Sequence, residues 1–188
     1  MATRSPIKRR TLLLCLLSWP AAAETPFTLD ALMARLAAAG PRRARFTETR
    51  RYAALEGALE SRGWLSFEAG RLVKTTDWPD PERLEVDGTR IVITAGNEPP
   101  RVIDMAMAPP LRILIEAVRG PLAGDIASLH RAFDVQLAGT WPAWSLRLVP
   151  LAAGPVHDVR LQGAGDVITG IIVKQANGDE QAMVISPS

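Results

Sequence analysis

Hydrophobic and polar residues alternate with a period of two over most of this chain, and this pattern constrains the fold more than any other feature. A period of two places successive side chains on opposite faces of a β-strand. Ten such segments are separated by short turns, which predicts an antiparallel sheet. The predicted strands are Ala44–Tyr52, Ala58–Glu68, Arg71–Asp77, Glu82–Val86, Thr89–Ala95, Phe133–Leu137, Trp144–Val149, Val156–Gln162, Ile168–Lys174 and Glu180–Ile185.

Turn signals between these segments predict that consecutive strands pair as hairpins. Ala69-Gly70, Asp87-Gly88 and Asn177-Gly178 each lie between two predicted strands. Asp-Gly and Asn-Gly favour the positive backbone angles of two-residue hairpin turns. So many sequential strands in one domain are expected to curl strongly or close into a barrel. Gly63 and Gly170, which lie inside strands, are interpreted as bends in that curved sheet.

Two segments follow the helical period instead. A stripe over Leu29–Leu36 begins after Thr28, which is suited to cap a helix. A second stripe lies between the fifth and sixth predicted strands, bounded by Pro109-Pro110 and Gly120-Pro121, and Asp125 is placed to cap a third short helix. The predicted fold class is therefore α+β. It is a strongly curved antiparallel sheet or incomplete β-barrel, with a leading helix and a helical insert covering the open side.

Residues 1–23 have the pattern of a cleaved secretory signal peptide. Four basic residues precede the apolar run Leu12–Trp19, and Ala21-Ala22-Ala23 supplies small residues for cleavage before Glu24. The apolar run is much shorter than the roughly 20 residues that a membrane span needs. We therefore predict export to the periplasm, with residues 24–188 forming a single domain.

The charge balance changes when this leader is set aside. The leader contains four of the 22 basic residues and none of the 20 acidic ones, so the remainder carries two net negative charges. Nucleic-acid binding, which requires a concentrated basic patch, is not expected. Cys15, the only cysteine, also lies in the leader. The mature chain is therefore predicted to contain neither disulfides nor thiolate chemistry.

Residues suited to catalysis are sparse. His130 and His157 have no other histidine or cysteine at metal-ligand spacing, and no nucleophile or phosphate-loop motif is found. We predict no catalytic residues, no metal, no cofactor and no enzymatic activity. Glutamates on the first two predicted strands could form an acid–base pair, but solvated strand faces explain them better. These glutamates are Glu48, Glu56, Glu60 and Glu68.

Apolar strand faces and the helical insert are the remaining candidates for function. The insert joins flexible methionines to an amphipathic helix bounded by prolines, as expected of a movable lid over a cavity of lipid size. A core helix with methionine as filler is the alternative. The candidate ligand-binding residues are Phe46, Leu65, Phe67, Ile91, Ile93, Met105, Met107, Leu111, Leu114, Ile115, Leu146 and Leu148.

The order of elements resembles the LolA family, the periplasmic carriers of outer-membrane lipoproteins. The helix Leu29–Leu36 is followed by Ala44–Glu48, which is similar to the family's phenylalanine-led first strand. Ser61–Phe67 is similar to its second strand, and Leu84–Ile91 to its Val-Asp-Gly hairpin. The spacing over Ile113–Asp125 resembles a divergent branch of the family.

The resemblance implies an incomplete barrel whose hydrophobic cavity holds acyl chains without covalent catalysis. One departure stands out. The carriers have Lys-Arg-Pro after the second strand, and that arginine helps to close the lid, whereas Glu68-Ala69-Gly70 stands here. We expect a monomer that takes lipid or acylated cargo from an inner-membrane transporter to an outer-membrane acceptor. The alternative is an interaction protein of an envelope export or biosynthesis assembly, with the same fold and no enzymatic activity.

Overall fold

A computed structural model describes residues 27–187, so the predicted signal peptide lies outside the described residues. Within that range the chain forms three α-helices, one turn of 3₁₀ helix at Met105–Met107 and eleven β-strands. The helices are α1 (Leu29–Ala38), α2 (Pro109–Ala123) and α3 (Ile126–Ala132). The strands are β1 (Arg42–Arg51), β2 (Leu59–Glu68), β3 (Arg71–Trp78), β4 (Glu82–Asp87), β5 (Arg90–Ala95), β6 (Arg101–Asp104), β7 (Phe133–Thr140), β8 (Ala143–Pro150), β9 (Val156–Ala164), β10 (Val167–Gln175) and β11 (Glu180–Pro187).

All eleven strands belong to one antiparallel sheet in the order β6-β5-β4-β3-β2-β1-β11-β10-β9-β8-β7. Strands joined by hairpins are neighbours, as the turn signals predict, and β11 closes the chain back onto β1. The strands β6 and β7 remain as the two edges, and the helical insert α2–α3 connects them. The predicted fold, an incomplete barrel with a leading helix and a helical insert, is confirmed.

The sheet must curve, because one helix reaches strands that are far apart in the sheet order. Ile115 of α2 packs in one cluster with Ile91 of β5, and α2 also contacts β9. Seven strand spacings separate β5 from β9, which would span about 34 Å in a flat sheet. At about 1.5 Å per residue, the 15-residue helix α2 is only about 22 Å long. The concave face of the sheet is therefore wrapped around the helices.

Beyond shifts at strand ends, the structure differs from the prediction in an additional strand and in the end of helix α2. The edge strand β6 was not expected, because it has only four residues and follows Pro99-Pro100 directly. Helix α2 was expected to end at Gly120-Pro121, but it continues to Ala123. It ends instead at Gly124, whose φ of 70° is left-handed and whose N–H donates to Gly120 O and Pro121 O. A proline in the last turn removes one hydrogen bond without ending the helix.

The apolar core consists of two clusters. The larger one combines α1, the second half of α2 and the concave faces of β1, β2 and β7–β11. The smaller one lies between β4–β5 and the start of the insert, and contains Val86, Ile91, Met105 and Ile115. Within residues 27–187, no helix has both the length and the apolar composition that a membrane-spanning helix requires.

Both glycines interpreted as bends lie beside irregularities of strand pairing. The register of β2 with β3 shifts between Arg62 and Gly63, and that of β9 with β10 shifts between Ile168 and Gly170. A Cβ atom at Gly63 would lie 1.9 Å from Thr75 O and 2.9 Å from Thr76 Cα. The backbone of β3 therefore approaches this position more closely than any side chain allows.

Gly63→Ala is accordingly expected to destabilise the fold by about 1–3 kcal/mol, because the clash is with backbone that must move. Gly154→Ala is the matched control, since a Cβ atom there meets open space. Urea unfolding of the two variants measures the difference. Equal stability of both would show that close packing of β2 on β3 at Gly63 does not matter for the fold.

Candidate functional site

Helix α2 presents two chemically different faces. One face carries the predicted apolar stripe, in which Ile115 is buried while Leu111, Leu114 and Val118 are half-buried, and Leu122 extends it by one turn. This face lies against the concave side of the sheet because that side is also apolar. An adjacent face, about 100° around the helix axis, is charged, with Arg112, Glu116 and Arg119 at successive helical turns.

An apolar cavity of about 360 Å³ lies between the second half of α2 and the concave face of the sheet. Its volume falls near the lower end of the range for small-molecule sites, about 300–1,000 Å³. Strands β1, β2, β3, β10 and β11 form its wall, and α2 covers it with Val118 and Leu122. Its apolar lining includes Ala44, Leu65, Phe67, Leu72, Val118, Leu122, Val167, Ile168, Ile171 and Ile185. We call this space the α2 cavity.

A larger groove of about 670 Å³ lies on the charged face of α2, between α3 and the β4–β5 turn. Arg112, Glu116, Arg119, Asp125 and Arg131 contribute to its lining. The α2 cavity has only two charged residues in its lining, Arg42 and Arg43, and an apolar chain gains most where the fewest charged groups surround it. The α2 cavity is therefore the better candidate for a hydrophobic ligand, although the groove is larger.

Arg42 is a charged residue in the lining of the α2 cavity. It pairs with the buried Phe67 across β1 and β2, and its Nη2 donates to the backbone oxygen of Leu36 in α1. Its Nη1 is buried and has no hydrogen-bond partner among the described residues. Burial lowers the pKa of the guanidinium, and the charge of Asp166 acts in the opposite direction. An unpaired buried donor costs about 1–3 kcal/mol, and more when it is charged.

At the other end of the concave face, Glu48 forms a buried ion pair. Its side chain is fully buried and accepts hydrogen bonds from Lys74 Nζ and Arg50 Nε. The Lys74 ammonium also lies 4.9 Å from the centre of the Phe46 ring. The interpretation of Glu48 as a solvated group is therefore wrong, because β3 brings a cation over it. The other glutamates of that group, Glu56, Glu60 and Glu68, are exposed.

The predicted ligand-binding residues separate into distinct places. Leu65 and Phe67 line the α2 cavity. Phe46, Leu114, Leu146 and Leu148 belong to or border the larger apolar cluster, and the two β8 leucines are completely buried there. The smaller cluster takes Ile91, Ile93, Met105, Leu111 and Ile115. Met107 is 80% exposed and lies in neither cluster.

Several cavity residues were missed from the sequence. Leu122 follows Val118 by four residues and would have extended the predicted stripe, had the helix not been expected to end at Pro121. Ile171 and Ile185 lie on strands that were predicted, and the period of two assigns them to the concave face. Arg42 was missed because the first strand was predicted to begin at Ala44, although a period of two counted back from Phe46 places Arg42 on the same face.

The histidines do not form a site with other reactive groups in the described part of the chain. His157, on β9, contacts the neighbouring Asp158 at 2.9 Å, and Arg147 Nη2 lies 3.6 Å from the same carboxylate. Burial would raise the pKa of Asp158, but the hydrogen bond with His157 and the charge of Arg147 hold it below its usual value. Among residues 27–187, no group of three or more acidic, histidine or cysteine side chains is placed to hold a metal ion.

Comparison with known proteins identifies one family by its sequence model. The family model for "Outer membrane lipoprotein carrier protein LolA-like" matches residues 21–187. A LolA superfamily protein from Nitrosomonas europaea is a structural neighbour at 9% identity and a TM-score of 0.48, covering 86% of this chain and 92% of its own. A DUF1329 family protein from Desulfovibrio piger gives 8% identity and 0.42, covering 84% and 89%. Curated protein sequences contain no match.

The buried ion pair of Glu48 provides a test of how this end of the sheet is held. Glu48→Ala leaves Lys74 without its carboxylate, so we expect a loss of about 3–5 kcal/mol of folding free energy. Glu48→Leu combined with Lys74→Met is expected to regain most of that loss, because an apolar pair needs no partner charge. Glu60→Ala, at an exposed glutamate on β2, is the control. A change below about 0.5 kcal/mol for Glu48→Ala in chemical denaturation would contradict the role of the pair.

Proposed function

This chain belongs to the outer membrane lipoprotein carrier protein LolA-like family, and on that premise we propose that it is a non-enzymatic carrier of acyl chains. The ligand is a lipid, the acyl part of a lipoprotein or another hydrophobic molecule. Its hydrocarbon part occupies the α2 cavity while the protein crosses an aqueous compartment. The observation that carries the proposal is the cavity itself, which is lined by apolar side chains from five strands and one helix.

The physical task of such a carrier is to keep hydrocarbon out of water. Each methylene group that is buried contributes about 0.8 kcal/mol, so a long acyl chain does not leave a membrane unaided at a useful rate. A mainly apolar cavity supplies the same environment with few hydrogen-bond partners that would hold water. Ten apolar residues of the lining meet this requirement, and Val118 and Leu122 place it directly under α2.

Release requires that the cover moves, and the contacts of α2 suit a helix of moderate stability. The helix packs on α1 and α3, and Arg119 Nη1 donates to the backbone oxygen of Gly88 in the β4–β5 turn at 2.8 Å. The tight turn at Ala69-Gly70 takes the place of the family's Lys-Arg-Pro, so no arginine from that turn reaches α2. We propose that α2 moves away from the sheet to admit and release ligand.

The proposed place of action is the periplasm, because the first 23 residues have the pattern of a secretory signal. A periplasmic carrier of acyl chains needs a donor at the inner membrane and an acceptor at the outer membrane. We propose that the protein acts as a monomer between an inner-membrane transporter and such an acceptor. Both the donor and the acceptor must exchange an acyl chain with the carrier, so each must offer an apolar surface for that chain.

Val118→Phe tests the cavity by filling it. The added ring occupies space that the α2 cavity provides, so we expect binding of the neutral apolar dye N-phenylnaphthylamine to fall at least tenfold. Stability should change by less than about 1.5 kcal/mol, because the cavity accommodates the larger side chain. Dye fluorescence titrations and thermal melts on the same preparations measure both effects.

Val184→Phe is the matched control, since Val184 is 65% exposed on the convex face of β11. It adds the same ring outside the cavity and should leave dye affinity unchanged. Saturable dye binding by wild-type protein that survives Val118→Phe would place the ligand elsewhere. If folded wild-type protein binds no dye at all, the interaction-protein alternative becomes the better explanation.

A further inference from the structure

The first strand distributes its arginines in three different ways. Arg45 stacks its guanidinium 4.3 Å from the centre of the Trp64 ring on the convex face, and Arg50 pairs with the buried carboxylate of Glu48. Arg42 lies on the concave face instead, in the lining of the α2 cavity. The rest of the lining is apolar apart from Ser66 and Arg43, and the guanidinium of Arg43 stacks on Trp64, so the guanidinium of Arg42 needs a physical explanation.

The hydrogen bonds of Arg42 satisfy only part of its guanidinium. Nη2 donates to Leu36 O near the end of α1, a favourable position for a cation at a helix C-terminus. Nη1 is buried without a partner among the described residues. Asp166 acts on the guanidinium electrostatically, but no carboxylate in residues 27–187 forms an ion pair with it. One buried donor of this half-buried cation therefore lacks a partner, and the same residue contributes to the lining of the α2 cavity.

We propose that Arg42 binds the anionic head group, a carboxylate or a phosphate monoester, of an amphiphile whose hydrocarbon chain occupies the α2 cavity. This inference rests on the carrier function proposed above and narrows the ligand class. Planar guanidinium groups form charge-assisted hydrogen bonds with both anions, and such bonds are stronger where water is excluded. The ligand's anion supplies the partner that Nη1 lacks, and the chain fills the apolar space beside it.

A purely structural role for Arg42, as a cap on α1, makes a different prediction. In that case its removal lowers stability but leaves the choice of ligand unchanged. Measuring whether the protein prefers anionic over neutral ligands distinguishes binding of the head group from capping of α1, because a helix cap does not affect that preference. Laurate, lauryl phosphate and monolauroylglycerol share one chain length, and the first two are anionic at pH 8 whereas the third is neutral.

The experiment measures displacement of N-phenylnaphthylamine from wild-type protein by these three compounds below their micelle concentrations. We expect the anionic compounds to bind about 10- to 100-fold more tightly than monolauroylglycerol, the gain of one or two charge-assisted hydrogen bonds. Laurate and lauryl phosphate, compared with each other, identify which head group the site prefers. This comparison needs no variant and therefore does not depend on the folding of one.

Arg42→Met should abolish the preference for anions, so that the affinities for laurate, lauryl phosphate and monolauroylglycerol fall within about twofold of one another. Arg45→Met, on the convex face of the same strand, should keep the preference. Arg42→Lys, which retains the charge, replaces Arg42→Met if loss of the Leu36 contact prevents folding, and it should reduce the preference without reversing it. Equal affinity of wild-type protein for all three compounds, or an unchanged preference in Arg42→Met, would overturn the role of Arg42. Failure of all three to displace the dye would instead overturn the carrier function.

Discussion

The fold depends on the burial of one apolar surface, the concave face of a large open sheet, against the helices. Antiparallel strands with a period of two produce one apolar face, and eleven of them produce more apolar surface than three short helices fill completely. Curvature brings that face around α1 and α2, and the apolar stripe of α2 lies against it. The α2 cavity is the part of the concave face that the helices cover without filling.

Polar groups mark the two ends of this face along β1. The side chain of Glu48 is buried and forms ion pairs with Arg50 and Lys74. The carboxylate at this end of the face therefore has all the charge partners it needs. Arg42 lies six residues earlier on the same face of β1. Its guanidinium has only part of its hydrogen bonds formed, and it borders the α2 cavity. At one end of β1 the carboxylate of Glu48 is fully paired with cations. At the other end the Nη1 group of Arg42 has no hydrogen-bond partner among the described residues. This asymmetry gives the cavity a direction, with an apolar interior and a positively charged edge.

Much of the fold could be predicted because it is encoded locally. The period of two, the turns at Asp87-Gly88 and Asn177-Gly178, and the cap at Thr28 each depend on neighbouring residues. The cavity could not be predicted in the same way. Alternation assigns Leu146 and Leu65 to the same face, but only the packing of α2 decides that the first is completely buried while the second borders a space. The burial of Glu48 likewise depends on Lys74, which arrives from β3 after a turn.

The most direct test of the proposed carrier function is to locate a bound acyl chain on the protein. A fatty acid that carries a photoreactive diazirine near its methyl end would be bound, activated by light and mapped by peptide mass spectrometry. If the chain occupies the α2 cavity, the label is expected on Val118 or Leu122 in α2 and on the neighbouring β10 and β11 residues, Ile171 and Ile185. Labelling confined to the charged groove of Arg112 and Glu116, or spread evenly over the surface, would contradict it.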